Sequence, residues 1–132
     1  MEKFKELFEA QKKADSSQKK ILVDYSVEIL KNFAKEKGMT EKKFAEEIAS
    51  SVDYVKATQD FIKNTLMKMG FGETNVNYQR TKKYFPKSYD KSLVAGAQSP
   101  YMSLSGAEMA TIARKAINKF TKEFGITPPK GY

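Results

Sequence analysis

Between residues 78 and 91 the chain reads Tyr-Gln-Arg-Thr-Lys-Lys-Tyr-Phe-Pro-Lys-Ser-Tyr-Asp-Lys, with five cations, one acid and four aromatic rings in fourteen residues. Its net charge of +4 is half of the formal +8 of the whole chain. Cations beside stackable rings suit a polyanion. Lys and Arg neutralise phosphates and release counterions, and aromatic faces pack on sugars and bases. The same residues also describe a solvated loop whose Tyr84, Phe85 and Tyr89 tuck onto a core. Pro86 bars the segment from a helix interior, so the sequence predicts a basic aromatic loop between two helical regions.

Other chemistries lack their residues. Cysteine and histidine are both absent. That removes disulfides, a thiolate nucleophile and Cys-ligated metal, together with the usual general base at neutral pH and the commonest metal ligand. Glu46-Glu47 and the scattered acids of the first fifty residues read as solvated helix faces. Gly70-Phe-Gly has no Gly-Lys-Ser/Thr after it and no strand before it, so it reads as a helix C-cap and turn rather than a phosphate loop. The expectation is a protein that is not an enzyme and holds no cofactor and no metal.

Charge is unevenly spread. Residues 1–50 carry eleven cations and ten acids, residues 51–91 eight and four, and residues 92–132 five and two. The first third is therefore dense but nearly balanced, and the basic excess lies in the middle and end. A chain of 132 residues predicts one domain with an arm. No run of about eighteen apolar residues marks a membrane span. The opening Met-Glu-Lys-Phe-Lys-Glu-Leu-Phe lacks the apolar centre of a secretion signal, which predicts assembly inside a cell.

The elements that must position these groups are helical. Phe4, Leu7, Phe8, Gln11 and Ala14 recur at helical spacing, and Asp15-Ser16-Ser17 supplies a break and caps. A second helix is predicted over Ser17–Lys37 on the stripe Leu22, Tyr25, Ile29, Leu30, Phe33 and Ala34, with Gly38 as its left-handed cap. Thr40 caps the next. From Phe44 the apolar positions run Ile48, Val52, Val55, Ile62, Leu66 and Met69, a face that one unbroken helix from Glu41 to Met69 would hold until Gly70. Ser105-Gly-Ala-Glu108 is a capping box for a final helix bearing Met109, Ile112, Ala113, Ala116, Ile117, Phe120 and Phe124, closed by Gly125 and Pro128-Pro129. The tail from Ile126 is predicted to be extended. The fold class is all-α, a four- to five-helix bundle (residues 41–132) with an N-terminal helical arm (residues 1–40).

A different reading of the middle competes with the unbroken helix. Residues 33–55 resemble the repressor-type helix-turn-helix family, in which a small Ala sits inside the first helix and an apolar residue ten positions later anchors the recognition helix. Ala45 and Val55 match those positions, and Gly38, Met39, Phe44 and Ile48 fit. Ala49 replaces the turn glycine, Ser50 and Thr58 replace apolar residues, and Asp53 and Asp60 lie on the would-be recognition helix.

A coat for nucleic acid needs no strict motif, only basic groups along helices and a means of self-association. Lys12, Lys13, Lys19 and Lys20 lie in the arm, and Arg80, Lys82, Lys83 and Lys87 in the basic segment. These eight are the residues expected to contact phosphates. The apolar stripes of Leu22–Phe33 and Phe44–Met69 exceed what one short final helix covers, so partner subunits are expected to cover the rest. Tyr78, Tyr84, Phe85 and Tyr89 would order the loop on DNA or on the bundle.

Three features carry a resemblance: the helix–Gly38–helix arm, the stretch Ile112-Ala-Arg-Lys-Ala-Ile-Asn-Lys-Phe120, and the following Phe124-Gly-Ile-Thr-Pro. In overall organisation the chain looks like the major coat proteins of archaeal filamentous double-stranded-DNA viruses, of the rudivirus and lipothrixvirus type. The resemblance implies that N-terminal helices wrap double-stranded DNA without reading sequence. They would do so as a dimer with a second copy or a related coat subunit, extended into a helical filament in a virion assembled in the host cytoplasm. The alternative is a helix-turn-helix transcription regulator. A protein-only adaptor using the basic segment on an acidic partner is a third reading.

Overall fold

The computed structural model describes residues 16–71, 78–85 and 104–130. Within them the helical periodicities resolve into five helices: α1 (Ser16–Glu36), α2 (Glu41–Ile48), α3 (Val52–Lys68), α4 (Tyr78–Tyr84) and α5 (Gly106–Lys122). The class is all-α, as predicted, with no strand among the described residues. The predicted first helix over residues 2–14, and the turn near Leu93, lie outside the described residues.

Local chemistry accounts for most of the boundaries. Gly38 takes φ 69°, and its neighbours close α1 with Met39 N–H donating to Ala34 O and Gly38 N–H to Lys35 O. Thr40 is extended, and its hydroxyl accepts from Lys43 N–H to start α2. Gly70, at φ 91°, ends α3. The capping box is complete, with Ser105 Oγ accepting from Glu108 N–H and Glu108 Oε1 accepting from Ser105 N–H.

Two expectations are corrected. The helix from Glu41 to Met69 is not continuous, because it breaks at residues 49–51. Ser51 is extended (φ −157°, ψ 155°), and its hydroxyl accepts from Tyr54 N–H as the N-cap of α3. Ser50 Oγ donates to Glu47 O at 2.6 Å, closing the end of α2. The apolar spacing runs on because the turn is short, but half-exposed Val52 leaves the core while Tyr54 and Val55 enter it. The break falls where the repressor-type alignment put its turn. The basic segment is also not wholly a loop, since residues 78–84 form α4. Proline disfavours helix for itself and for the residue before it. Pro86 therefore bounds a helix that stops at Tyr84, with Phe85 N–H donating to Thr81 O at 2.8 Å.

Packing corrects a third expectation. The stripes of α1, α2 and α3 are covered within one chain. Leu22, Leu30, Phe33, Phe44, Val55, Phe61, Ile62 and Leu66 share a single buried cluster with Phe71, Phe85, Leu104 and the inner face of α5. Phe85 supplies what the final helix could not. Its ring stacks on Phe61 at 4.5 Å and meets Phe33 at 4.6 Å. Among the described residues Ile21 is the one large apolar side chain left exposed. The boundary drawn at residue 40 divides no core, because α1 packs along α5 within that same cluster.

The topology follows from a few contacts. Phe71 O accepts from Leu104 N–H at 2.9 Å, joining the end of α3 to the start of α5, so these two run antiparallel. Arg80 meets Asp60 and Tyr84 meets Asp53, so α4 also runs against α3. Lys19 meets Glu108 and Asp24 meets Lys119, so α1 and α5 advance the same way. α3 lies between α4 and α5. Its buried threonines, with Ser26 of α1 and Thr121 of α5, satisfy their hydroxyls on carbonyls four residues back at 2.7 to 2.9 Å.

Candidate polyanion-binding face

The buried stripe of α5 fixes what its other side presents. With Met109, Ile112, Ala113, Ala116, Ile117 and Phe120 turned inward, Lys115, Lys119 and Lys122 are exposed, spaced by four and three residues. No acid occurs from Met109 to Lys122. Against this side runs the first half of α1. A groove of about 660 Å³ between the two helices is lined by Lys19, Lys20, Lys115 and Lys119, with Asp24 and Glu108 as its acids.

The acids hold two of the four lysines. Lys19 Nζ lies 2.7 Å from Glu108 Oε2, and Lys119 pairs with Asp24. The hydrogen bond from Lys19, with those from Ser105, holds the Glu108 carboxyl down at about 2. The hydrogen bond from Lys119 lowers that of Asp24. Lys20 and Lys115 are exposed and have no acid within ion-pair distance among the described residues. They are the groove's available charges.

Of the eight lysines and arginines chosen from sequence, the five described ones do not form one site. Lys12, Lys13 and Lys87 lie outside the described residues. Lys19 and Lys20 meet in the α1–α5 groove. Arg80 turns inward, its Nη1 2.8 Å from Asp60 Oδ2 and its Nε 3.5 Å from Asp53 Oδ1, so it clamps α4 to α3 and is committed to acids. Lys82 and Lys83 are exposed on α4. Of the rings proposed to order the segment, Phe85 is wholly buried and Tyr84 half-buried, both on the bundle. The side chains of Tyr78 and Tyr89 lie outside the described residues. Sequence reading passed over Lys115 and Lys119. Their signal was the lysine spacing in the acid-free stretch from Met109 to Lys122, which is legible only once its apolar stripe is subtracted.

A second concavity, of about 410 Å³, opens where the end of α1 faces the start of α3 and the end of α4. Its floor is Tyr54 against Tyr84, ring centroids 4.5 Å apart. Tyr54 Oη donates to Glu47 Oε1 at 2.7 Å, and Lys37 Nζ lies 2.9 Å from the same oxygen. Partial burial acts to raise the Glu47 carboxyl, but the hydrogen bonds from Lys37 and Tyr54 outweigh it and hold it below the usual range. Burial, then the bond to Glu47, pushes the Tyr54 phenol far above its ordinary value. Lys37 Nζ also sits 5.6 to 5.9 Å from the rings of Phe33, Phe44 and Tyr54. Among the described residues no group of acids is arranged to hold a metal ion.

The helix that a repressor-type motif would lay in a DNA groove is the central helix of this fold. α3 buries Tyr54, Val55, Ala57, Thr58, Asp60, Phe61 and Ile62 between α4 and α5. Its outward residues are Asp53, Lys68 and the half-exposed Val52, Lys56, Gln59, Lys63 and Met67. No helix among the described residues is long and apolar enough to cross a membrane. Comparison with protein-family models, curated proteins and solved structures finds no match to this chain.

Proposed function

We propose that this chain coats double-stranded DNA without reading its sequence, as a structural subunit of a filamentous nucleoprotein. The observation that carries the reading is the exposed row Lys115, Lys119 and Lys122 on the outer side of α5, where Glu108 in the first turn is the one acid, with Lys20 beside them across the α1–α5 groove. A row of lysines on a rigid helix meets phosphates by charge alone, which gives affinity without base discrimination. Lys82 and Lys83 of α4 form a second exposed basic pair. The partner is the duplex, with a second copy or a related subunit as neighbour, and the resemblance seen in the sequence makes a virion the natural setting. Because the described surface leaves only Ile21 as a large exposed apolar side chain, the neighbours would be aligned by the duplex more than by an apolar face. The burial of α3 weighs against the regulator.

The test is binding to two unrelated duplexes across a salt series, with electron microscopy of the products. Equal affinities, a steep salt slope and continuous filaments support the coat. A preference of a thousandfold or so for one duplex, with discrete complexes, belongs to a regulator. Absence of binding at low salt rejects both and leaves an acidic protein partner.

A further inference from the structure

The Tyr54–Tyr84 cleft has the parts of a nucleotide site. It stands apart from the α5 side, so its chemistry is independent of the coat. Its aromatic floor is rigid, with half-exposed Tyr84 backed by the buried Tyr54. Tyr84 Oη donates to Asp53 Oδ2 at 2.9 Å and Tyr54 Oη to Glu47 Oε1, so neither ring is free to swing. Phe85 supports Tyr54 from its edge at 5.9 Å. Lys83 Nζ rests 5.2 Å from the centroid of the Tyr84 ring and has no acid within ion-pair distance among the described residues. A compact charge on a flexible stem can leave that ring for a phosphate. On the other wall Glu47 spends one oxygen twice: Oε1 accepts from both Lys37 and Tyr54, while Oε2 accepts no hydrogen bond among the described residues.

We propose that this cleft binds one unpaired nucleotide whose base carries an exocyclic amine, with the base on the exposed side of Tyr84, its amine donating to Glu47 Oε2, and its phosphate on Lys83. Stacking on tyrosine accepts any base, since every base has a π-face. An ionised carboxylate only accepts, so it favours the amine of cytosine, adenine or guanine over a carbonyl at the same edge. A space of about 410 Å³ holds a nucleotide and not a duplex. The base must therefore be a free nucleotide or one at a strand end or gap.

The experiment titrates the full chain with cytidine monophosphate, uridine monophosphate and ribose 5-phosphate, and with a short oligo-dC strand. Tyrosine fluorescence is the readout, since the chain has no tryptophan. Saturable binding of the cytidine nucleotide roughly tenfold tighter than the uridine nucleotide is expected, this being the worth of one good carboxylate–amine contact. Glu47→Gln, whose amide oxygen can still accept from Lys37 and Tyr54, should erase that preference, and Lys83→Ala should weaken both nucleotides alike. If the monophosphate binds, the site takes free nucleotides. If only oligo-dC binds, and Glu47→Gln abolishes it, the site takes a strand end. Either supports the proposal. Equal binding of cytidine and uridine nucleotides, binding of ribose 5-phosphate as tight as either, or no saturable signal with any probe would overturn it. Duplex binding is measured separately, so its failure leaves this result standing.

Discussion

Arg80 Nη1 donates to Asp60 Oδ2 at 2.8 Å across the α3–α4 interface, where the Asp60 side chain is only 11% exposed. The most basic stretch of the sequence thus anchors itself with its one arginine, by neutralising an acid of the central helix. Removing one member of such a pair strands the other. Arg80→Ala is expected to lower stability by about 2–3 kcal/mol in urea denaturation, and to leave the salt slope of DNA binding unchanged. A change in slope with stability intact would return Arg80 to the phosphate contacts.

Phe85 is the ring on which α1, α2, α3 and α4 converge. It is fully buried and touches Phe33, Phe44, Tyr54 and Phe61. Truncation leaves a cavity that these rings can close only partly. Phe85→Ala should cost about 3–5 kcal/mol, enough to unfold a marginal domain. A loss below about 1 kcal/mol would mean that α4 is not docked in solution.

The break between α2 and α3 depends on the Ser51 cap. Ser51→Ala removes the acceptor for Tyr54 N–H and should cost about 1 kcal/mol. Ser51→Asp, which restores a capping oxygen beside the helix dipole, should recover it. If Ser51→Ala proved neutral, the continuous helix read from the apolar stripe would be the better description.

Glu108 sets a pH dependence. Its carboxyl is held at about 2 in the folded chain against an ordinary 4.5, chiefly by the hydrogen bond from Lys19. A carboxyl lowered by folding binds fewer protons in the native state. Its contribution is whole above 4.5 and is lost as pH falls toward 2. Acid titration of the midpoint in urea should therefore show a decline over that window, and Glu108→Gln should flatten it. The same variant frees Lys19, so at neutral pH it should bind DNA more tightly, with the salt slope steeper by about one ion.

Lys20 and Lys115 test the groove directly. Both are exposed and have no acid within ion-pair distance among the described residues, so reversing them to Glu should change stability by no more than about 0.5 kcal/mol. It should also lower the magnitude of the DNA salt slope by about two or more. Reversal of Lys82 and Lys83 is the comparison. If only that pair alters the slope, the α4 side carries the duplex and the α1–α5 groove does not.

The all-α class, both ends of α1, the start of α2, the end of α3 and the capping box of α5 were legible from residue types and their spacing. These are short-range matters of apolar period, cap and left-handed glycine, and each is written within a few residues. Folding in three dimensions was needed to settle which side chains meet. Spacing could not show that the α1 and α3 stripes close on a phenylalanine just before Pro86, because that contact joins residues far apart in sequence. Nor could composition tell a phosphate-binding arginine from one held by Asp60, since the difference is the acid that folding brings within 2.8 Å. The lysines of α5 were ordinary in the sequence. They became a candidate site when burial of one side of the helix left them in line on the other, beside Lys20. Charge is a property of residues, but its availability is decided by the partners that packing supplies or withholds.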